Sequence, residues 1–153
     1  GVAIPFIGSW NPSVKARAAG ADVEADISKI EPGQLIRVVW RSKPVWIARR
    51  TPELIESLSK IDDLLKDPNS EEDQQPEFAR NPYRSLKQHL KDGAFEEYVE
   101  GVPEGFHCPC HGSKFDMAGR VFNNVPAPLN LVVPPYMYVD DNTILIGSEE
   151  GAA

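Results

Sequence analysis

The chain has 153 residues, 41% of them hydrophobic and 25% charged, which is enough for one packed domain of ordinary size and excludes gross disorder. Its formal net charge is −7, and its 16 Lys and Arg are scattered without a basic stripe, which argues against nucleic acid as a partner. No apolar run reaches the ~18 residues that cross a bilayer, and 14 Pro with 11 Gly predict the many turns of a small all-β protein.

In chain order, Gly1–Ile7 (GVAIPFI) is apolar and gives way to polar residues. It reads either as a strand or frayed terminus, or as the last turns of a membrane anchor; no signal-peptide pattern is present. Ser9–Gly20 (SWNPSVKARAAG) has Pro, Ser, Gly and small Ala without apolar periodicity, the composition of a tether. Val23, Ala25 and Ile27 alternate, which predicts a short strand. Gln34–Trp40 and Pro44–Ala48 are β-branched and aromatic and predict a hairpin turning at Arg41-Ser42-Lys43. Thr51-Pro52-Glu53 opens a helix, with a capping Thr, Pro at the first helical position and an acid near the positive dipole end. Leu54, Ile55, Leu58, Ile61 and Leu65 then recur at helical spacing through Lys66, a stripe expected to pack in the core. Asp67–Gln75 (DPNSEEDQQ) reads as a solvated acidic loop. Val125-Pro126-Ala127-Pro128 is a stiff loop. Leu131–Val139 reads as an edge or bulged strand interrupted by Pro134-Pro135. Asp140-Asp141-Asn142 turns the chain into a last strand, Thr143–Ile146.

The chemistry concentrates in Cys108-Pro109-Cys110-His111-Gly112-Ser113, which holds both cysteines and one of the three histidines. A disulfide between Cys108 and Cys110 would be badly strained, so each stays free, pairs elsewhere or binds metal. A thiolate and an imidazole at Cys-x-x-His spacing can reach one metal centre from a tight loop. Gly112 lets the backbone turn beneath it. Such ligands suit zinc or an iron–sulfur cluster.

The string CPCHGSKFDMAGRVF resembles the second cluster-binding box of Rieske iron–sulfur proteins. NVPAPLNLVVPPYMY is similar to the proline loop and following strand of that family, ISKIEPGQLIRVVWRSKPVWIARRT to its first base-domain strands, and NPYRSL to the stretch before its first box. The resemblance covers about Ile27 to Gly147. It implies an antiparallel β base domain with one helix and an inserted small cluster-binding subdomain. Residues 1–9 would be the end of a membrane anchor, 10–22 a flexible tether, 23–147 the head with its subdomain at about 86–128, and 148–153 a tail. It implies a two-iron two-sulfur cluster with Cys108 and His111 as ligands, and Cys110 in a disulfide with a cysteine of the first box. Cys110 distinguishes the quinol-oxidising bc type from Rieske ferredoxins that serve oxygenases.

The same resemblance implies electron transfer from quinol, bound to a b-type cytochrome subunit, to a c-type cytochrome. The exposed ligand His111 would hydrogen-bond the quinol and take a proton. Oxidation of the cluster places positive charge beside the imidazole and favours proton release. The head would lie on the periplasmic side of an inner membrane, where a disulfide persists. Ser113 can donate to a cluster sulfur and raise the potential. Phe115 stands where many family members carry Tyr, so Phe115→Tyr is expected to raise the potential in a redox titration. Pro126 and Pro128 would shield the cluster from water.

The sequence departs from the family at the first box, Cys-Thr-His-Leu-Gly-Cys, which supplies one Cys ligand, one His ligand and the disulfide partner. After Asn81-Pro82-Tyr83-Arg84-Ser85-Leu86 the chain runs KQHLKDGAFEEYVEGVPEGFHC and holds no other cysteine. His89 in Gln88-His89-Leu90 superficially resembles the His of that box; an exposed loop histidine is the commoner reading. His107 reads as a surface strand residue. Three accounts follow: a segment between about Leu86 and Gly93 is left out of the sequence as written, the loop was removed deliberately, or a natural homologue has lost its cluster. The first is preferred because the intact second box has no obvious use alone. The rival readings are a cluster-free structural or assembly subunit, and a zinc site from Cys108, Cys110, His111 and His89.

Overall fold

The computed structural model describes residues 20–85 and 105–148. The described residues form two compact units: 20–29, 37–47 and 136–148 in the first, and 30–36 with 48–85 and 105–135 in the second. Among the described residues the architecture is antiparallel β with one α-helix, as expected for an all-β fold.

The first unit holds a three-stranded sheet in the order β1 (Val23–Asp26), β7 (Thr143–Ile146), β6 (Tyr136–Asp140). Both pairings are antiparallel, with Ala25 opposite Ile144 and Tyr138 opposite Ile144 on the other side. The period of two puts Ala25, Ile144 and Ile146 inside, at 3%, 6% and 1% exposure. Ile27, Val38, Trp40, Val45, Ile47, Tyr136 and Tyr138 pack against them. Each buried isoleucine contributes about 1.5–3 kcal/mol. The turn before β7 is held by the Asn142 amide donating to Asp140 Oδ1 at 2.7 Å.

The hairpin β2 (Leu35–Trp40) and β3 (Lys43–Ala48) turns on two residues, Arg41 and Ser42, rather than three. Both have positive φ, 49° and 62°, the type I′ geometry that matches strand twist. Neither is Gly or Asn. Arg41 stacks its guanidinium 4.4 Å over the Trp40 ring, a cation–π contact that favours the turned form.

In the second unit, α1 spans Pro52–Leu58, and the Thr51 hydroxyl accepts from the Leu54 amide at 3.2 Å. The cap, the Pro and the acidic Glu53 are as the sequence predicts. The helix stops at Leu58 rather than Lys66, and a 3-10 turn, Asp62–Leu64, replaces its second half. Ser57 and Ser59 turn their hydroxyls back onto the carbonyls of Leu54 and Glu56, which weakens helix propagation. Buried Arg120 takes the Leu58 carbonyl at 2.6 Å, an acceptor that the next helical turn would otherwise use.

Two further expectations are corrected. The strand placed at Leu131–Val139 begins only at Tyr136. Before it, the Leu131 and Val133 amides donate to Gly119 and Gln74 carbonyls, both at 2.8 Å, and Pro134-Pro135 offer no amide for a ladder. The acidic loop 67–75 is exposed only at Asn69 and at Glu71, Glu72 and Asp73. Ser70 and Gln75 are buried at 0% and 8% exposure, because they accept from buried Arg84.

Candidate functional site

β4 (Gly105–His107) and β5 (Lys114–Asp116) pair antiparallel, with Phe106 opposite Phe115 and His107 opposite Lys114. The strands alternate faces, so His107 and Lys114 point to solvent while Phe115 is buried. His107 is thus the surface strand residue expected of it. Between the strands lies the loop 108–113, which carries the candidate ligands.

Two backbone bonds close that loop. The Cys108 amide donates to the Ser113 carbonyl at 2.8 Å, and the Gly112 amide donates to the Cys108 carbonyl at 3.0 Å. Gly112 has φ +78°, a left-handed turn that a side chain would strain. The result curls Pro109, Cys110 and His111 around the Cys108 sulfur. The Cys110 amide, then the His111 amide, donate to that sulfur and hold the Cys108 thiol below its ordinary pKa; the Cys110 thiol adds to this, and slight desolvation opposes it. His111 and Cys110 are exposed, Cys108 is half-buried, and both cysteines are free.

The thiolate is the nucleophile and the metal-binding form. A lowered thiol pKa therefore predicts that Cys108 alkylates at a lower pH in the folded chain than after denaturation. Iodoacetamide labelling across a pH series, read by peptide mass, checks this. Coincident profiles for the folded and denatured chains would contradict it.

The loop rests on a buried frame. Ser113 is 6% exposed and its hydroxyl accepts from the Ala127 amide at 2.9 Å. That leaves the hydroxyl hydrogen available to donate elsewhere, and it ties the ligand loop to the proline loop. Pro126 and Pro128 are exposed. Lys66 reaches the same proline loop, donating to the carbonyls of Val125 and Ala127 at 2.9 and 2.7 Å. Below β5, Asp116 accepts from the amides of Ala118 and Arg120 through Oδ1 and pairs with Arg120 Nε through Oδ2 at 2.7 Å. Phe106, Phe115, Met117, Phe122 and Val125 line an apolar groove along the hairpin.

The structure thus brings Cys108, Cys110, His111, Gly112 and Ser113 into one turn and sets Pro126 on the loop bonded to it. Sequence reasoning missed Lys66, Asp116 and Arg120. Only the adjacent acid and base of DMAGR hinted at the last pair. His89 and the Leu86–Gly93 junction lie outside the described residues.

Whether the residues fit a complete Rieske cluster can be tested on the donors. Among the described residues no three His, Cys, Asp or Glu side chains converge as a metal site. The whole chain holds two Cys and three His. A Rieske cluster takes two Cys and two His, and the family's disulfide needs two further Cys. One copy of the loop supplies one such Cys–His pair, and the described residues bring no second pair to it.

No protein-family model matches the chain. It is 53% identical to the ubiquinol–cytochrome c reductase iron–sulfur subunit of Allochromatium vinosum, over 98% of this chain and 81% of the relative. That alignment runs over 169 residues against the 153 present here, so part of the relative inside the aligned span has no counterpart in this chain. The subunit of the same name from Bradyrhizobium diazoefficiens is 41% identical over 94% of the chain and 81% of the relative. The mitochondrial Rieske subunit of the cytochrome b-c1 complex of Solanum tuberosum is 40% identical over 94% of the chain and 53% of the relative. Such identity over nearly the whole chain, together with the CPCHGS turn, shows that this chain belongs to the family of Rieske iron–sulfur subunits of ubiquinol–cytochrome c reductase.

Proposed function

We propose that the chain serves electron transfer from quinol to a c-type cytochrome in a cytochrome bc complex, coupled to proton release. The observation that carries this reading is the closed Cys108–Ser113 turn with its sulfur wrapped by two amides, in a chain related to such subunits throughout. A two-iron two-sulfur cluster, when bound, supplies one-electron chemistry at a potential raised by imidazole ligation. Toward it, this chain would contribute the Cys108 thiolate and the His111 imidazole. Gly112 shapes the turn. Ser113 holds the proline loop through Ala127 and keeps a hydroxyl hydrogen free for a sulfur acceptor. Pro126 limits water on that side. Exposed His111 is the group able to meet quinol and take its proton, and Cys110 is left for a disulfide whose partner the sequence does not contain.

In this reading the partners are a b-type cytochrome subunit and a c-type cytochrome. The head (23–147, with its ligand-bearing subdomain at about 86–128 and a tail at 148–153) lies on the periplasmic side of an inner membrane. Residues 10–22 tether it to an anchor that ends at about residue 9. Among the described residues no helix is long and apolar enough to cross a membrane.

The test is anaerobic reconstitution of the whole chain with ferrous iron and sulfide. Acid-labile sulfide, equal iron, visible absorption and a low-temperature paramagnetic signal on reduction are expected. Zinc uptake without labile sulfide would replace the reading with a zinc site. A colourless protein that binds neither would replace it with a structural or assembly subunit.

A further inference from the structure

The proline loop beside the Cys108–Ser113 turn has few ways to be held. Pro126 and Pro128 carry no amide hydrogen, so from Val125 to Pro128 the backbone offers only the amides of Val125 and Ala127. The Ala127 amide is committed to the Ser113 hydroxyl at 2.9 Å. The carbonyls are the loop's remaining handles, and a donor from elsewhere in the fold must take them. Lys66 does so: its Nζ donates to the Val125 and Ala127 carbonyls at 2.9 and 2.7 Å. We propose that Lys66 is a positioning residue for the Cys108–Ser113 turn, acting through the proline loop: its ammonium seats Ala127, and Ala127 seats Ser113.

Three observations carry this. First, an ammonium has three donors and no acceptor, and here two bonds converge on carbonyls two residues apart in one loop. Bonds from a charged donor are stronger than neutral ones. Second, the lysine stem starts from a fixed base. Leu65 is buried at 5% exposure and bridges Phe122, the Lys66 amide donates to the Val121 carbonyl at 3.1 Å, and the Asn123 amide donates to the Leu64 carbonyl at 2.7 Å. Residues 64–66 therefore run beside 121–123, which lead into the proline loop. The next residue, Asp67, holds the far end: its carbonyl and Oδ2 accept from the Asn130 side-chain amide at 3.0 and 3.3 Å. Lys66 and Asp67 thus bracket the chain from 125 to 130. Third, the bonds continue into the turn. Ser113 accepts the Ala127 amide on its hydroxyl and the Cys108 amide on its carbonyl, and the Gly112 amide returns to the Cys108 carbonyl. A proline loop lifted from Ser113 would leave a hydroxyl on a residue only 6% exposed without the amide that it accepts.

The inference rests on the proposed electron-transfer reading, in which this turn is the working end of the head, and the experiment separates the two. Amide hydrogen exchange is followed residue by residue by NMR on the whole chain, for the parent, Lys66→Met and Lys66→Arg. In Lys66→Met the Ala127 amide should exchange about tenfold faster, the scale of one lost bond to a charged group, and the Cys108 and Gly112 amides should follow it. The Leu131 amide, which donates to the Gly119 carbonyl in the same unit at 2.8 Å, should keep its protection. Lys66→Arg should restore Ala127, because a guanidinium also brings several donors. Unchanged Ala127 exchange in Lys66→Met would overturn the inference. So would loosening of Ala127 alone, since the lysine would then position nothing in the turn. Equal loosening of Leu131 would overturn it as well, by marking a plain stabilising role. Reconstitution with ferrous iron and sulfide decides the functional reading separately. Uptake by the parent with no exchange response in Lys66→Met overturns the clamp and leaves that reading standing. A responsive clamp in a chain that takes up no iron overturns the reading, and with it the lysine's place in that function.

Discussion

Replacing Arg120 by alanine is expected to cost about 3–5 kcal/mol of folding stability, the scale for breaking a buried ion pair by removing one partner. Arg120 is 0% exposed and Asp116 1%. Its Nε pairs with Asp116, one terminal nitrogen takes Asp62 at 2.8 Å and the Pro68 carbonyl at 3.1 Å, and the other takes the Leu58 carbonyl. The guanidinium thus joins the end of α1, the 3-10 turn and the start of the acidic loop to the strand behind the ligand turn. Alanine would leave the Asp116 carboxylate buried with only backbone donors, and two carbonyls without their donor. Urea unfolding followed by dichroism measures the loss as a lower midpoint at unchanged slope. The paired replacement Asp116→Leu with Arg120→Met should cost less than Arg120→Ala alone, because no uncompensated charge remains. A single variant that loses under about 1 kcal/mol, the scale of an exposed pair, would mean that water replaces the guanidinium and that the pair is not the keystone of this unit.

Strands and turns were the legible part of the sequence, for a physical reason. A period of two with β-branched residues leaves little choice of face, so Val23 and Ala25 and the final TILI strand fall as read, while Ile27 lies one residue past the end of its strand. The helix was over-read because Leu58, Ile61 and Leu65 keep helical spacing after the backbone has left the helix. Leu58 and Leu65 are buried at 2% and 5% either way, so periodicity could not distinguish seven helical residues from fifteen. What ends the helix is Arg120, 62 positions away from Leu58, and no local pattern carries such a contact.

The same limit governs the site. Cys108, His111, Gly112 and Ser113 were legible because the turn that gathers them is contiguous in sequence. The supports were not. Lys66 reaches Ala127 across 61 positions, and Asn130 takes the Asp67 carbonyl across 63 while its own side-chain oxygen accepts from the Val121 amide. Ser113 was read as a sulfur donor on its hydroxyl alone; that the same oxygen also clamps the proline loop needed the fold. The missing donors, by contrast, were legible at once, because counting cysteines requires no structure.

Arg84→Met is the second large effect, expected at about 2–4 kcal/mol from buried acceptors left without donors. Arg84 is 4% exposed and, among the described residues, meets no carboxylate directly. Its terminal nitrogens donate to Ser70 Oγ at 2.9 Å, Gln75 Oε1 at 2.6 Å and the Leu131 carbonyl. Burial pushes its guanidinium down to about 10, while the charges of Asp67 and Asp116 hold it up and Arg120 pushes it further down. The sign follows from linkage. Between that value and its unfolded value the folded state binds fewer protons than the unfolded one, so the Arg84 contribution to stability grows as pH climbs through this window and is flat below it. The gap in urea midpoint between the parent and Arg84→Met should therefore stay constant from about pH 6 to about pH 9. A gap that changes within that range would place the linkage in another group. Methionine keeps the apolar stem and removes every donor, so the measured cost is that of the polar clamp rather than of lost packing. The clamp joins the acidic loop 67–75 to the segment after Asn130. If the loss is as large as expected, that loop is a structural strap closed on a buried cation, and its exposed acids, Glu71, Glu72 and Asp73, are only its solvated rim.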